Sequence, residues 1–461
     1  GVMNVIINES LYDSDFVKNH TEGFTELSER VQEYSPEKVE GITGVDKETI
    51  RKFAAIYADS KPSFIYAGSG MQHHTNGGMM IRTIACLPGL VGAWKHPGGG
   101  MFYPTSEAFP IQWDILEGND LCPDSPRSIN MNRLGHTLLH EDPGIYGLFV
   151  YNSNPAAVLF NQRKVIAGLQ REDLFTVVHE QLLTDTTRYA DIVLPATTEF
   201  EHTDLHYSYF HLSLQLNEPV IEPLGESRPN IDTFNTLAKS MGFQDSCFDD
   251  TAIDTINSAL GVDSSYLRGI TLERLRDEGA IRLNMPGEFH IPYRDLKFYT
   301  PSGKIEFYSD KMKGDGYDPL PAHIPIGEGP LTSPDLYEKY PVYLLTPSAK
   351  SFLNSNFANI REQGSEEEPI LELNSLDAGR RGIKTGDKVR VFNERGECAL
   401  MASVGDYLKE GVAINKGIWW NSLSPGGCNS NQTTPDRLAD MGGGSTYNTN
   451  LVQIEKVNSP V

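Results

Sequence analysis

Apolar residues in the first 60 positions recur at the three- and four-residue spacing of a helix. Met3-Asn4-Val5-Ile6-Ile7 opens the pattern, "LYDSDFVKNHTEGFTELSERVQEYSPE" continues it, and Pro36 breaks it. Asp46 then stands where a helix N-cap belongs, with Ile50, Phe53, Ala54 and Tyr57 on one stripe behind it. Beyond residue 60 the period changes. "SFIYAG" is a short apolar run of strand type, a glycine loop follows, and Met79 to Leu90 returns to helical spacing. Strand, glycine loop and helix in that order open a doubly wound α/β unit. The order recurs in "GLFVYNSNPAAVLFNQRKVIAGL", with a strand at 147–151. It recurs again in "DLFTVVHEQLLTDTTRYADIVLP", with strands at 174–178 and 191–194.

The segment from 196 to 330 is less regular, and Pro and Gly concentrate between 314 and 330. From residue 340 the chain is built of short β-type runs: "PVYLLTP", "ILELN", "DKVRVFNERGECALMASV" and "GVAINKGIWW". "NERG" suits a hairpin loop. The pattern therefore predicts an α/β protein with a mostly parallel, doubly wound sheet domain over 61–330. A helical remnant of a preceding α/β domain comes first, over 1–60, and a small β-barrel domain follows, over 335–461.

Charge and cysteine content narrow the class. The formal charge is −23, which excludes nucleic acid as the main partner because phosphate binding needs clustered Lys and Arg. The five cysteines, at 86, 122, 247, 398 and 428, include no C-x-x-C pair, so neither a zinc site nor an iron–sulfur cluster is legible. No apolar run reaches the roughly 20 residues of a membrane span. The chain opens inside an apolar pattern, which reads as the C-terminal part of a longer protein.

Polar residues at the strand ends carry the candidate chemistry. Asn152, Ser153 and Asn154 follow one predicted strand, and His179 and Glu180 follow the next. In open parallel sheets ligands bind beyond the carboxyl ends of strands, where a carboxylate accepts from a ribose or from the N–H edge of a base. His202 and His206 stand four residues apart with Glu201 and His211 near, but the order is not H-E-x-x-H, so they read as hydrogen-bonding histidines. No metal-ligand set is assigned. The Thr/Asp cluster of "TDTTRYADIVLP", residues 184–195, ends in a strand closed by proline.

Taken in order, these stretches resemble the catalytic subunits of the molybdopterin oxidoreductases, the superfamily of dimethyl sulfoxide reductase, formate dehydrogenase and nitrate reductase. "ITGVDKETIRKFAAIYA", "GSGMQHHTNGG", "LPGLVGAWKHPGGG", "YNSNPAAV", "VVHEQLLTDTTRYADIVLPATTEFE" and "ELNSLDAGRRGIKTGDKVRVFNERG" carry the resemblance nearly end to end. It implies a pair of molybdopterin guanine dinucleotides carrying Mo or W, and a double-psi-like C-terminal barrel. By motif position it places Ser69 and His73 near pterin or phosphates, Asn152 and Asn154 beside the nucleotide, and His179 and Glu180 at the guanosine end. The pterin-contacting loop matches "TPSAKSFLNS", giving Thr346, Ser348, Lys350, Asn354 and Ser355, with Asn431 and Asn448 further on.

The resemblance also says what is expected elsewhere. The metal ligand and an iron–sulfur cluster belong upstream, so no catalytic residue is assigned in this chain. The implied partners are that N-terminal portion, an iron–sulfur electron-transfer subunit and a small-molecule substrate. The wording of "HPGGG" and "GGGSTYN" leans toward polysulfide or thiosulfate reductase and formate dehydrogenase branches. A metal-free scaffold subunit and a non-redox hydratase are the rival readings, and localisation is left open.

Overall fold

The computed structural model describes residues 1–103, 109, 111, 116–118, 121, 126–209, 211–285, 291–360 and 369–457. Cys122 lies outside them, and the four cysteines among the described residues are free. The chain forms two compact units. One comprises Gly1–Pro104, Met285–Ile326 and Ala439–Gly444; the other comprises Thr105–Asn284, Gly327–Leu438 and Ser445–Val461.

The first unit is mainly helical, with helices Val2–Asn8, Ser14–His20, Phe24–Arg30, Pro36–Thr43, Lys47–Asp59 and Gly77–Leu90. Each short helix is held by tertiary burial rather than by length. Val5, Ile6, Leu27, Ala54, Leu90 and Phe307 share one core. Phe53, expected on the buried stripe, is 51% exposed; Ala58 takes its place inside, because Phe53 lies at the rim of the arc that Ile50, Ala54 and Tyr57 define. Asp46 caps this helix by accepting from the Thr49 amide at 2.9 Å. Asp46→Ala is expected to lower the stability of this unit by about 1 kcal/mol, read from its thermal or urea transition. The residues 439–444 belong here because the Asp440 carboxylate takes the free amides of Gly78 and Met79, at 2.7 and 3.1 Å, opening the helix Gly77–Leu90. Two parallel strand pairs complete the unit: Thr21–Glu22 with Ile305–Glu306, and Phe64–Tyr66 with Gly100–Phe102.

The second unit carries a parallel sheet and a closed barrel. Strands Gly147–Tyr151, Phe175–Glu180 and Ile192–Pro195 pair in chain order, all parallel. The single doubly wound sheet expected over 61–330 is therefore divided. Phe64–Tyr66 hydrogen-bonds only with Gly100–Phe102 among the described residues, and the antiparallel strands Asp204–His206, Ser213–Asn217 and Ala280–Arg282 form a sheet of their own. Sequence pattern identifies each strand by its local alternation but carries no information on which neighbour it meets.

The strand expected at 174–178 runs two residues further. His179 pairs with Leu194 and Glu180 with Pro195, so both are the last residues of the strand, not the first of the loop. The Ala196 amide still donates to the Glu180 carbonyl at 3.0 Å, so Pro195, whose nitrogen faces away from this neighbour, sits in the ladder without costing it a bond. Asp191 fixes the return of the chain: its carboxylate accepts from the Thr176 amide at 2.7 Å while its own amide donates to the Thr176 carbonyl at 2.8 Å.

The barrel closes six strands in the order Val342–Leu345, Val412–Asn415, Ile370–Asn374, Glu397–Gly405, Lys388–Phe392 and Leu451–Lys456. Its interior follows directly from period-two alternation. Val389 and Val391 point in between Lys388, Arg390 and Phe392; Cys398, Leu400 and Ala402 do the same on the neighbouring strand. Leu371 and Leu373 fill the centre. Each contributes roughly 1.5–3 kcal/mol of burial.

Candidate functional site

Within the second unit the tips of the parallel strands and a barrel segment line one cleft of about 750 Å³. That falls in the range of about 300–1,000 Å³ common to small-molecule sites. The sheet side gives Asn152, Asn154, His179, Glu180 and Thr184; the barrel side gives Ser355, Phe357 and Trp420.

Two segments far apart in sequence are stitched together to make this cleft. The Thr-rich turn is held by Asp185, only 2% exposed, whose carboxylate accepts from the amides of Asn421 and Ser422. Buried amide side chains reach back the other way. Asn421 donates to the Ala156 carbonyl at 3.0 Å, Asn429 to Ala157 at 3.0 Å, and Asn431 to Val158 at 2.9 Å. Gln432 closes the seam on Gln162 at 2.9 Å. These buried amide donors are tolerated because each is paired, whereas the Asn421 Oδ1 is buried without a protein partner.

Asn154 is the pivot. Its side-chain oxygen accepts from the Thr186 amide and hydroxyl at 3.2 and 2.7 Å, which leaves its Nδ2 buried without a protein partner. The Thr184 hydroxyl is buried and unpartnered in the same cleft wall. Such groups are costly unless something else satisfies them. His179 is buried, and burial pushes its pKa below the ordinary histidine value. Its Nδ1 lies 3.2 Å from the Leu194 carbonyl, an acceptor, so Nδ1 carries the proton; Nε2 then accepts from the Thr233 hydroxyl at 3.4 Å. A neutral His179 thus pins the strand tip to the helix Asn230–Ser240. Beside it, burial raises the Glu180 pKa above the usual carboxylate range, partly offset by the Gln181 amide at 2.8 Å.

The sequence-assigned residues divide. Asn152, Asn154, His179, Glu180 and Ser355 line the cleft. Thr346, Ser348, Lys350 and Asn354 lie on the barrel segment but not among the lining residues. Asn431 is 1% exposed with its amide committed to the Ala157 and Val158 carbonyls, so it holds the two halves together. Asn448 is half-buried in the second unit, and Ser69 and His73 belong to the first. His202 and His206 also line the cleft, His202 with its Nδ1 2.9 Å from the Thr197 hydroxyl. Among the described residues no three His, Cys, Asp or Glu side chains are grouped as metal ligands, and no helix is long and apolar enough to cross a membrane. The resemblance sets the Thr-rich turn beside the guanine half of the cofactor without naming Thr184, which lines the cleft. Sequence reasoning missed Phe200, although that residue stands next to last in the family-like stretch at 177–201, and Phe357, which sits in no motif.

A parallel sheet whose strand tips share a polar cleft with a segment of a closed β-barrel defines the class of protein as α/β with a C-terminal barrel. The chain belongs to the molybdopterin oxidoreductase family: that family's sequence profile matches residues 1–240, and the profile of the molydopterin dinucleotide binding domain matches residues 342–451. The second match implies a molybdopterin cofactor. The chain is 44% identical to a probable oxidoreductase, YoaE, of Bacillus subtilis, over 99% of this chain and 66% of that protein. It is 28% identical to the dimethyl sulfoxide reductase DmsA of Escherichia coli, over 99% of this chain and 63% of that protein. The structure of acetylene hydratase from Pelobacter acetylenicus superposes with a TM-score of 0.82 at 24% identity, covering 99% of this chain and 69% of that one. The chain thus spans about two thirds of the length of the curated relatives it matches.

Proposed function

We propose that this chain is the nucleotide-gripping part of an oxidoreductase catalytic subunit, and that its cleft takes the guanosine end of a bis-(molybdopterin guanine dinucleotide) cofactor carrying Mo or W. The observation that carries the reading is the pair of buried, unpartnered groups, Asn154 Nδ2 and Thr184 Oγ1, beside a desolvated carboxylate in one cleft. Guanine offers two N–H donors and one carbonyl on a single edge. Glu180 would accept the former and Asn154 Nδ2 would donate to the latter. When bound, the cofactor supplies two-electron redox or atom-transfer chemistry at its metal. The residues of this chain bind it, orient it and exclude water from its nucleotide end.

The third of the relatives' length that this chain does not span is where we place the metal ligand and the iron–sulfur cluster, with a separate iron–sulfur subunit as electron partner. DmsA supports sulfoxide reduction and acetylene hydratase supports the non-redox hydratase reading, while the polysulfide and formate branches draw no support from the relatives named above. The barrel's two parallel pairings, Tyr343 with Val412 and Ile370 with Met401, support a double-psi connection.

Calorimetric titration with GDP, the nucleotide end of the cofactor, tests the reading. Binding is expected to strengthen as pH rises through the elevated Glu180 titration and to level off above it, because the guanine N–H edge needs the ionised carboxylate. Asn154→Leu should weaken GDP binding about tenfold, the loss of a hydrogen bond to a buried partner. GDP affinity that is flat with pH and indifferent to Asn154→Leu would remove the basis for the assignment.

A further inference from the structure

Two large aromatic residues line the cleft while staying largely exposed: Phe200, 65% exposed, and Phe357, 63% exposed. Neither is a loose surface residue. The backbone of Phe200 is fixed from outside, since its carbonyl accepts from the amides of Val220 and Ile221 at 2.9 and 3.1 Å. The next residue, Glu201, is buried, with its carboxylate on the Thr198 amide, the Thr198 hydroxyl and the Leu224 amide at 2.7, 2.9 and 2.6 Å. The turn that carries Phe200 therefore has little freedom.

Phe357 is held differently. It stands between two buried residues, Ser355 and Ala358. The Ser355 carbonyl accepts from Trp420 Nε1 at 2.8 Å, and Phe352 packs edge-on to Trp419 with ring centroids 5.1 Å apart. Phe352 can lie there only because residue 417 is glycine: its φ is +76°, and a Cβ would sit 2.4 Å from the Phe352 ring. The segment is thus anchored on either side of Phe357, yet Phe357 itself has a φ of +63°. A bulky aromatic residue is disfavoured in that left-handed region, and such outliers concentrate at ligand sites. A ring 63% exposed returns little burial to the fold for this cost.

We propose that Phe200 and Phe357 are stacking platforms for a purine base, and that they set the preference of this cleft for a guanine over a pyrimidine nucleotide. The inference rests on the guanine reading of the cleft. It divides recognition between two kinds of contact: Glu180 and Asn154 read the edge of the base, and the phenyl rings hold its face. Base–aromatic stacking tolerates any planar base but favours the larger one, so the rings favour purine and the edge contacts select guanine.

Titration of the full chain with GDP and with CDP decides it, using Phe357→Leu, Phe357→Gly and Phe200→Ala. Wild type is expected to bind GDP more tightly than CDP and to shift the guanine H8 proton upfield through the ring current of the phenyl groups. Phe357→Leu keeps the bulk and the strained backbone but has no aromatic face. It should bind GDP roughly 5- to 150-fold more weakly, the span of base–aromatic stacking, and lose most of the H8 shift. Phe357→Gly should weaken GDP to the same degree while its melting temperature stays level or rises, because glycine relieves the positive φ. Phe200→Ala should weaken GDP binding without unfolding its turn, whose bonds are to backbone. Unchanged GDP affinity and H8 shift in Phe357→Leu overturn the stacking proposal while leaving the guanine reading intact. Absence of GDP binding by the wild type overturns both.

Discussion

Replacing Arg395 with alanine is expected to cost the second unit about 3–5 kcal/mol, the usual penalty for stranding one member of a buried ion pair. Arg395 holds Glu328 through two contacts, at 2.8 and 3.1 Å, with side chains only 12% and 4% exposed. The same guanidinium also donates to the Thr433 carbonyl at 2.6 Å and to Asn450 Oδ1 at 3.3 Å. Glu328 in turn accepts from the Leu451 amide at 3.2 Å. One arginine therefore ties the segment entering the barrel, the loop after residue 432 and the start of the last strand. Its planar fork is the reason lysine cannot stand in. Urea unfolding followed by tryptophan fluorescence measures the loss, since Trp419 and Trp420 are buried in this unit. Arg395→Met combined with Glu328→Leu should recover much of it, because the uncompensated charge is then gone.

Asp185→Ala is expected to have a comparable effect on stability, about 3–5 kcal/mol, and a specific one on binding. The buried carboxylate accepts from two backbone amides, and hydrogen bonds to a charged group are worth about 1.5–3 kcal/mol each. Without it the buried Asn421 amide is left unpaired, and the exposed Ser422 loses its tie to the turn. The Thr-rich turn then loses its attachment to the barrel loops, and the cleft they jointly line opens. Asp185→Asn keeps one acceptor oxygen and should lose about half as much. GDP titration on the folded fraction checks the second effect: weaker binding in both variants, with alanine the worse.

The parts of this fold legible from sequence are those with a local period. Val389, Val391, Cys398, Leu400 and Ala402 alternate with polar neighbours, and the turn between the two strands sits at "NERG" as its composition requires. Asp46 reads as a helix cap and acts as one. The sheet tips were legible because Asn and Glu follow apolar strand runs, although His179 and Glu180 turned out to close the strand itself. What escaped is what depends on distant pairing. Asn421, Asn429 and Asn431 meet carbonyls some 265 to 274 residues away, a contact with no local pattern. Asn431 is placed near the pterin by the family resemblance, which carries no sign that its amide bridges to the Ala157 and Val158 carbonyls. Arg395 was read only as part of a hairpin loop. Phe357 gave no signal, because phenylalanine is neither a turn former nor a residue expected at positive φ.

The most direct measurement of the central claim is the nucleotide released by acid from the purified protein that carries this chain, produced in a host that makes the cofactor and counted against its metal content. The account predicts two guanine nucleotides for each Mo or W atom, with markedly less guanine retained after dialysis when Asp185 is alanine. Release of no nucleotide, or of a cytosine nucleotide, would contradict it.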